Sequence, residues 1–169
     1  VAYARATVRF LVERGFRYFF GGGDFASNHG PMYSPCHFEE LVAPRLKQVS
    51  DICHQHGAYH LFASDGDLWP VADVLFGQCG VDGFYEIDRR AGMDLHRLHE
   101  RFPRLVLIGN ISSHTVHLGT REEVVREAEE AIAEAKQSRR TIVGVSNYLV
   151  PGTPIENVVA LLETIHALR

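Results

Sequence analysis

Short runs rich in aromatic and β-branched residues alternate along this chain with longer segments of helical periodicity, and no other feature restricts its fold as strongly. The strand-like runs are FRYFF (16–20), AYHLFAS (58–64), VDGFYEI (81–87), RLVLIGN (104–110) and TIVGVS (141–146). The first helix carries Val8, Leu11 and Val12 on one stripe and ends at Gly15, where a C-cap belongs. Helical segments follow at 36–57, 68–80, 93–102, 121–137 and 154–168. Gly57 and Gly80 sit past two helix ends, Pro154 opens the last helix, and Pro44 is expected to bend the second near its first turns. The count is five strands and six helices in strict alternation, with residues 1–169 read as one domain. Parallel neighbours can be joined only through long crossovers, so this alternation predicts an α/β fold with a parallel sheet.

An open doubly wound sheet and a (β/α)8 barrel both satisfy that pattern. The strand ends separate them. Polar residues follow every strand: Asp24, Ser27 and His29; Ser64, Asp65 and Asp67; Glu86 and Asp88; Asn110, Ser112 and His114; Ser146, Asn147 and Tyr148. An open sheet furnishes only the loops near its switch point, whereas a barrel gathers all of them at one mouth. The expectation is therefore an incomplete TIM-type barrel, about its last five β/α units, with three more expected upstream of a chain that opens inside a helix without Met.

Composition narrows the function. A formal net charge of −4 gives no electrostatic basis for binding nucleic acid or an anionic membrane. No apolar run approaches the roughly 20 residues that span a bilayer, and the N-terminus lacks the order of a signal peptide, so a cytoplasmic protein is expected. Cys36, Cys53 and Cys79 are odd in number and without CxxC spacing, which signals neither a disulfide framework nor a zinc knuckle.

The stretch GGGDFASNHGPMYSP (21–35) concentrates turn residues and chemistry at one strand exit. It lacks the GK[ST] ending of a phosphate loop, so its glycines are expected to turn the backbone and leave room for a ligand. Asp24 is either a loop brace or a direct ligand contact. In FASDGDLWP (62–70), the carboxylates of Asp65 and Asp67 could share a proton, bind a cation or hydrogen-bond a polar ligand, with Asp67 alternatively a helix cap. His54 and His56 beside Cys53, and likewise His96 and His99, are read as helix residues away from the mouth, with imidazoles favoured near helix C-termini. His114 and His117 follow a strand end and could reach the mouth.

The segments GGDFASNHGPMYSPCHFEELVAPRLKQVSDICHQHGAYHLFASDGD, GVDGFYEID, AGMDL, LIGNIS, GTREEV and PGTPIENV, in this order, resemble the C-terminal portion of the uroporphyrinogen decarboxylase superfamily. The resemblance implies a (β/α)8 barrel with its active site at the mouth, and either decarboxylation of a tetrapyrrole or methyl transfer from a corrinoid carried by a partner protein. It places Ser27 where decarboxylases contact a substrate carboxylate. It puts the ligand positions of zinc-dependent members on Ala63, Asp65 and Asn147, which argues against zinc and leaves no cofactor assigned. The catalytic candidates are Asp24, Asp65 and Asn147; the substrate-binding candidates are Ser27, His29, Ser64 and Tyr148. Two further readings remain open: a binding module that holds a tetrapyrrole or corrinoid without chemistry, and a homo-oligomer formed through exposed sheet edges.

Overall fold

The computed structural model describes residues 1–169. Five parallel strands form the main sheet: β1 (Tyr18–Gly22), then, beyond a small antiparallel hairpin of β2 (Ala26–Ser27) and β3 (Gly30–Pro31), β4 (Tyr59–Ala63), β5 (Gly83–Tyr85), β6 (Val106–Ile108) and β7 (Thr141–Ile142). Their spatial order is β1-β4-β5-β6-β7, the same as their order in the chain. Every crossover therefore steps in the same direction, and because such crossovers are right-handed, every connecting helix falls on one face of the sheet. A doubly wound sheet reverses its order at a switch point and covers both faces. The observed order is that of an incomplete TIM-type barrel, with no closure.

The helices are α1 (Ala2–Val12), α2 (Pro35–His37), α3 (Ala43–Gln55), α4 (Ala72–Gly77), α5 (Leu95–Arg101), α6 (Ser113–Leu118), α7 (Arg121–Ser138) and α8 (Ile155–Leu168). Strand periodicity shows what they cover. Phe62, Phe84 and Leu107 lie in register on one face and are fully buried in the main core with Leu75, Leu98, Val124 and Leu161. The opposite face carries Tyr18, Phe20 and Tyr59, which remain 66%, 60% and 49% exposed. There Tyr18 stacks on Tyr59 with ring centroids 5.4 Å apart, and Phe20 meets Tyr85 edge-on at 5.7 Å. This bare, largely aromatic face is the one that a closed barrel turns inward.

Several boundaries depart from expectation for local reasons. The first strand begins at Tyr18, because Phe16 is still tied to the helix end through its N–H to the Leu11 carbonyl. It runs on through Gly21 and Gly22, so two of the three glycines belong to the strand and not to a turn. A Cβ on Gly22 would lie 1.8 Å from the Ala63 carbonyl oxygen, so close strand approach requires glycine there. Pro44 acts as expected: lacking an N–H, it follows a π turn at Phe38–Val42 that separates α2 from α3. The strict alternation misses α6, which Ser112 caps by accepting from the Thr115 N–H. The last strand is shorter than TIVGVS, with only Thr141–Ile142 in the ladder and a single bridge from Val145 to Ile111.

Candidate functional site

The loops after the five strands converge at the C-terminal edge of the sheet. The β2–β3 hairpin folds over the loop after β4, where the Asp67 N–H donates to the Ser27 carbonyl at 2.8 Å. Gly66, at φ 80°, makes this possible, since a Cβ there would lie 2.7 Å from the Ala26 carbonyl oxygen. Asp67 is engaged locally: its carboxylate accepts from the Trp69 N–H at 2.9 Å, bracing the loop, while Leu68 and not Asp67 is the N-cap of the turn that follows. The Asp65–Asp67 pair therefore does not act as one site.

Asp65 instead meets Asn147. The Asn147 side-chain amide donates to the Asp65 carboxylate at 3.3 Å, joining the exits of β4 and β7 across the mouth. The other end of the same side chain accepts from the Tyr148 N–H at 2.7 Å, which fixes the amide's orientation. Both residues line a cleft of about 200 Å3 with Asn28, Asp88, Arg90, Ser112, Ser113, His114 and Ser146, without a single hydrophobic residue. A shallower hollow of about 480 Å3 adjoins it, lined by Asp24, Ser27, His29, Met32 and again Asp65.

Electrostatics single out the same carboxylates. Burial raises the proton affinity of Asp65, and the charges of Asp24 and Asp88 raise it further against the Asn147 hydrogen bond. Glu86, held at φ 68° just past β5, is raised by burial and then by Asp65 and Asp24. Burial also pushes the Tyr85 hydroxyl up, with Glu86 and Tyr148 contributing. Like charges thus act on one another across the mouth, and together with burial they raise the proton affinity of Asp65 and Glu86.

The candidates separate into four groups. Asp24, Asp65 and Asn147 do come together at the mouth. Ser27 and His29 lie exposed on the hairpin beside them, with the Ser27 hydroxyl accepting from the His29 N–H at 3.2 Å. Tyr148 stands 77% exposed at the rim. Ser64 stands apart from the others: it is fully buried, accepting from the Phe25 N–H and donating to the Asp65 carbonyl, so its hydroxyl is engaged in bracing the loops. Arg90 and Ser113 were not among the residues expected from the sequence, and Asp88, Ser112, His114 and Ser146 were visible there only as members of polar strand exits.

A zinc ion does not fit the positions the resemblance assigns to it. Ala63 has no donor atom, the Asn147 amide is committed to Asp65 and the Tyr148 backbone, and no three His, Cys, Asp or Glu side chains converge to hold a metal. The other conspicuous polar groups lie elsewhere. His54 pairs with Asp82 at 2.9 Å at the opposite end of the sheet, Cys53 is buried in the small core beneath α1, and Asp94 of AGMDL caps α5. Asn157 of PGTPIENV is buried and donates to the Val116 and Gly119 carbonyls, which locks α8 onto the α6–α7 turn.

A parallel sheet with its helices on one face and a polar rim at its C-terminal edge defines a protein of the (β/α)-barrel class. The family model described as Uroporphyrinogen decarboxylase (URO-D) matches residues 24–168, and the chain belongs to that family. It is 28% identical over 132 residues to a protein named uroporphyrinogen decarboxylase from Anaeromyxobacter sp. (strain Fw109-5), a match covering 76% of this chain and 36% of that relative. A relative of the same name from Anaeromyxobacter dehalogenans (strain 2CP-C) is 28% identical over 129 residues, with the same coverage. The chain thus spans little more than a third of the curated relatives it matches. No helix is long and apolar enough to cross a membrane.

Proposed function

We propose that the protein acts as a decarboxylase on an acidic tetrapyrrole held at the mouth, with Asp65 as the central residue. The contact between Asp65 and Asn147, made where Asp24, Glu86 and Asp88 also converge, carries this reading. Decarboxylation of a carboxymethyl arm needs a proton on the pyrrole ring to accept the electron pair of the breaking carbon–carbon bond. Carbon dioxide then leaves, a proton reaches the side-chain carbon to complete the methyl group, and the ring gives back its own proton, so one proton net replaces the carboxylate. Asp65 and Glu86, whose proton affinities are raised, supply or balance those protons. Arg90 and His114 on the cleft wall, with Ser27 and His29 on the hairpin, bind the substrate's carboxylates.

The names of the two curated relatives support this chemistry, and it asks for no cofactor. Methyl transfer from a corrinoid on a partner protein draws less support, because the residues at the thiol-activating positions do not fit zinc and AGMDL is accounted for by helix capping and packing. The test is single-turnover incubation of the full-length natural protein with uroporphyrinogen and, separately, with methylcobalamin plus a thiol. Carbon dioxide release from the first supports the proposal. Methylation of the thiol would replace it with the corrinoid reading, and binding without turnover would leave a non-catalytic module. Asp65→Ala is expected to abolish uroporphyrinogen binding while the protein stays folded by circular dichroism; unchanged affinity would remove Asp65 from the site.

A further inference from the structure

Two of the loops that build the cleft are held from behind by one side chain. Glu127 lies on α7, in the helix layer, with its side chain only 12% exposed. One oxygen accepts from the Ser112 N–H at 2.8 Å, and the other accepts from the Thr115 hydroxyl at 2.8 Å. These bonds tie down the loop after β6 where it turns into α6. The oxygen that receives the Ser112 N–H also lies 3.5 Å from the Arg89 guanidinium, whose other nitrogen reaches Glu130 at 2.6 Å.

Arg89 belongs to the loop after β5. It opens a short 3-10 turn that Asp88 caps, its carboxylate accepting from the Arg90 and Ala91 N–H groups. The residues on either side of Arg89, Asp88 and Arg90, both line the cleft, and so does Ser112. A single carboxylate on an outer helix therefore ties together two loops that line the cleft, without lining it itself.

We propose that Glu127 is a positioning residue of the mouth, fixing the exits of β5 and β6 so that Asp88, Arg90 and Ser112 face Asp65 and Asn147 across one cleft. The inference deepens the reading of the mouth as the functional site, but its test needs no substrate. Charge-assisted hydrogen bonds of this kind are the strong ones, and removing a carboxylate that satisfies a half-buried N–H frees the loop that carries it. Asp88 is one of the charges that raise the proton affinity of Asp65, so release of its loop is readable at Asp65.

The experiment is NMR on the chain, recording amide exchange at Ser112, the side-chain amide of Asn147 and the carboxyl titration of Asp65. In Glu127→Ala, exchange at Ser112 is expected to accelerate by about tenfold or more, the Asp65 midpoint to fall, and the Asn147 resonances to move. Thr115→Val, which removes one bond and leaves the Ser112 and Arg89 contacts, is expected to leave the Asp65 midpoint in place. A Glu127→Ala protein that loses thermal stability but keeps the wild-type Asp65 midpoint and Asn147 resonances would make Glu127 a packing brace only and overturn the proposal. Should Glu127→Ala fail to fold, Glu127→Gln decides. It keeps length and one acceptor oxygen but loses the charge facing Arg89, so movement of the Asp88 and Asp65 signals supports the proposal and unchanged signals overturn it.

Discussion

Acid should unfold this protein partly through one buried imidazole, His60, and the effect is large enough to measure. His60 lies on the helix-facing side of β4 and is 2% exposed. Its Nδ1 is 2.8 Å from the Ser50 hydroxyl, which in turn donates to the Leu46 carbonyl at 3.3 Å. Its Nε2 faces the Gly21 backbone so closely that a Cβ there would be only 3.1 Å away. Burial lowers its pKa from 6.5 to about 4, with the Asp82 carboxylate opposing the shift and His54 adding to it. The folded chain thus resists a proton that the unfolded chain accepts, so the contribution to stability is complete above pH 6.5 and is lost as pH falls toward 4. Such a displacement amounts to about 2 kcal/mol by pH 5 and about 3 kcal/mol below pH 4. Asp65 and Glu86, with raised proton affinities, act in the opposite sense, gaining stability as they protonate.

His60→Asn isolates the imidazole, because its amide can still bond Ser50 and does not titrate. Urea unfolding followed by the fluorescence of Trp69, the single tryptophan, gives stability at each pH. Between pH 8 and pH 5 the wild type is expected to lose about 2 kcal/mol more than the variant. Equal losses to within about 0.5 kcal/mol would refute the reasoning, and with it the placement of a neutral His60 in the core.

Two further substitutions test the fold. Gly22→Ala would put a methyl 1.8 Å from the Ala63 carbonyl oxygen, backbone against backbone with nothing free to rotate, and should cost about 3 kcal/mol or more in urea unfolding. Gly77→Ala in α4, where nothing lies within 4 Å of the added Cβ, is its control and should be neutral or stabilising. Asn157→Ala leaves the Val116 and Gly119 carbonyls without their donor and should cost about 2 kcal/mol by thermal unfolding. Its effect on ligand affinity should be absent; a selective loss of binding would move PGTPIENV from a fold-locking role to the site.

How much of this was legible beforehand depended on whether a signal was local. Alternating strand and helix patterns are local, so the parallel sheet and its barrel order were readable from periodicity and polar strand exits. Asp65 and Asn147 were readable as strand-end polar residues, although 82 positions separate them, because a barrel brings all such ends together. Ser64 looked identical to them in sequence. One residue earlier in the loop, it falls inward, where burial and two hydrogen bonds occupy it. The glycine run was misplaced by two residues because contact with Ala63, a tertiary cause, decides where β1 ends. Glu127 was hidden among the many glutamates of α7, yet it stands three residues after Val124 and four before Ala131, on the buried stripe. A carboxylate set among the apolar residues of that stripe was the available signal.

The two ends of the sheet treat their charges in opposite ways, and that contrast is the physical case for placing function at the mouth. At the lower end Asp82 is held by both the His54 imidazole, 2.9 Å away, and the His60 backbone N–H, so its carboxylate has partners where it lies. At the upper end Asp24, Asp65, Glu86 and Asp88 enter none of the ion pairs of the molecule, although arginines are close at hand. Arg89, one residue from Asp88, turns outward to Glu127 and Glu130 instead of neutralising the mouth. Repulsion among carboxylates costs stability in the free protein, and a fold selected for stability alone would pair them. Leaving the four outside any ion pair, with Asp65 and Glu86 half-buried and raised in proton affinity, keeps them available to a ligand that brings its own N–H groups or developing positive charge. In the reaction proposed above, the pyrrole ring of a tetrapyrrole, protonated on the way to losing carbon dioxide, would offer both.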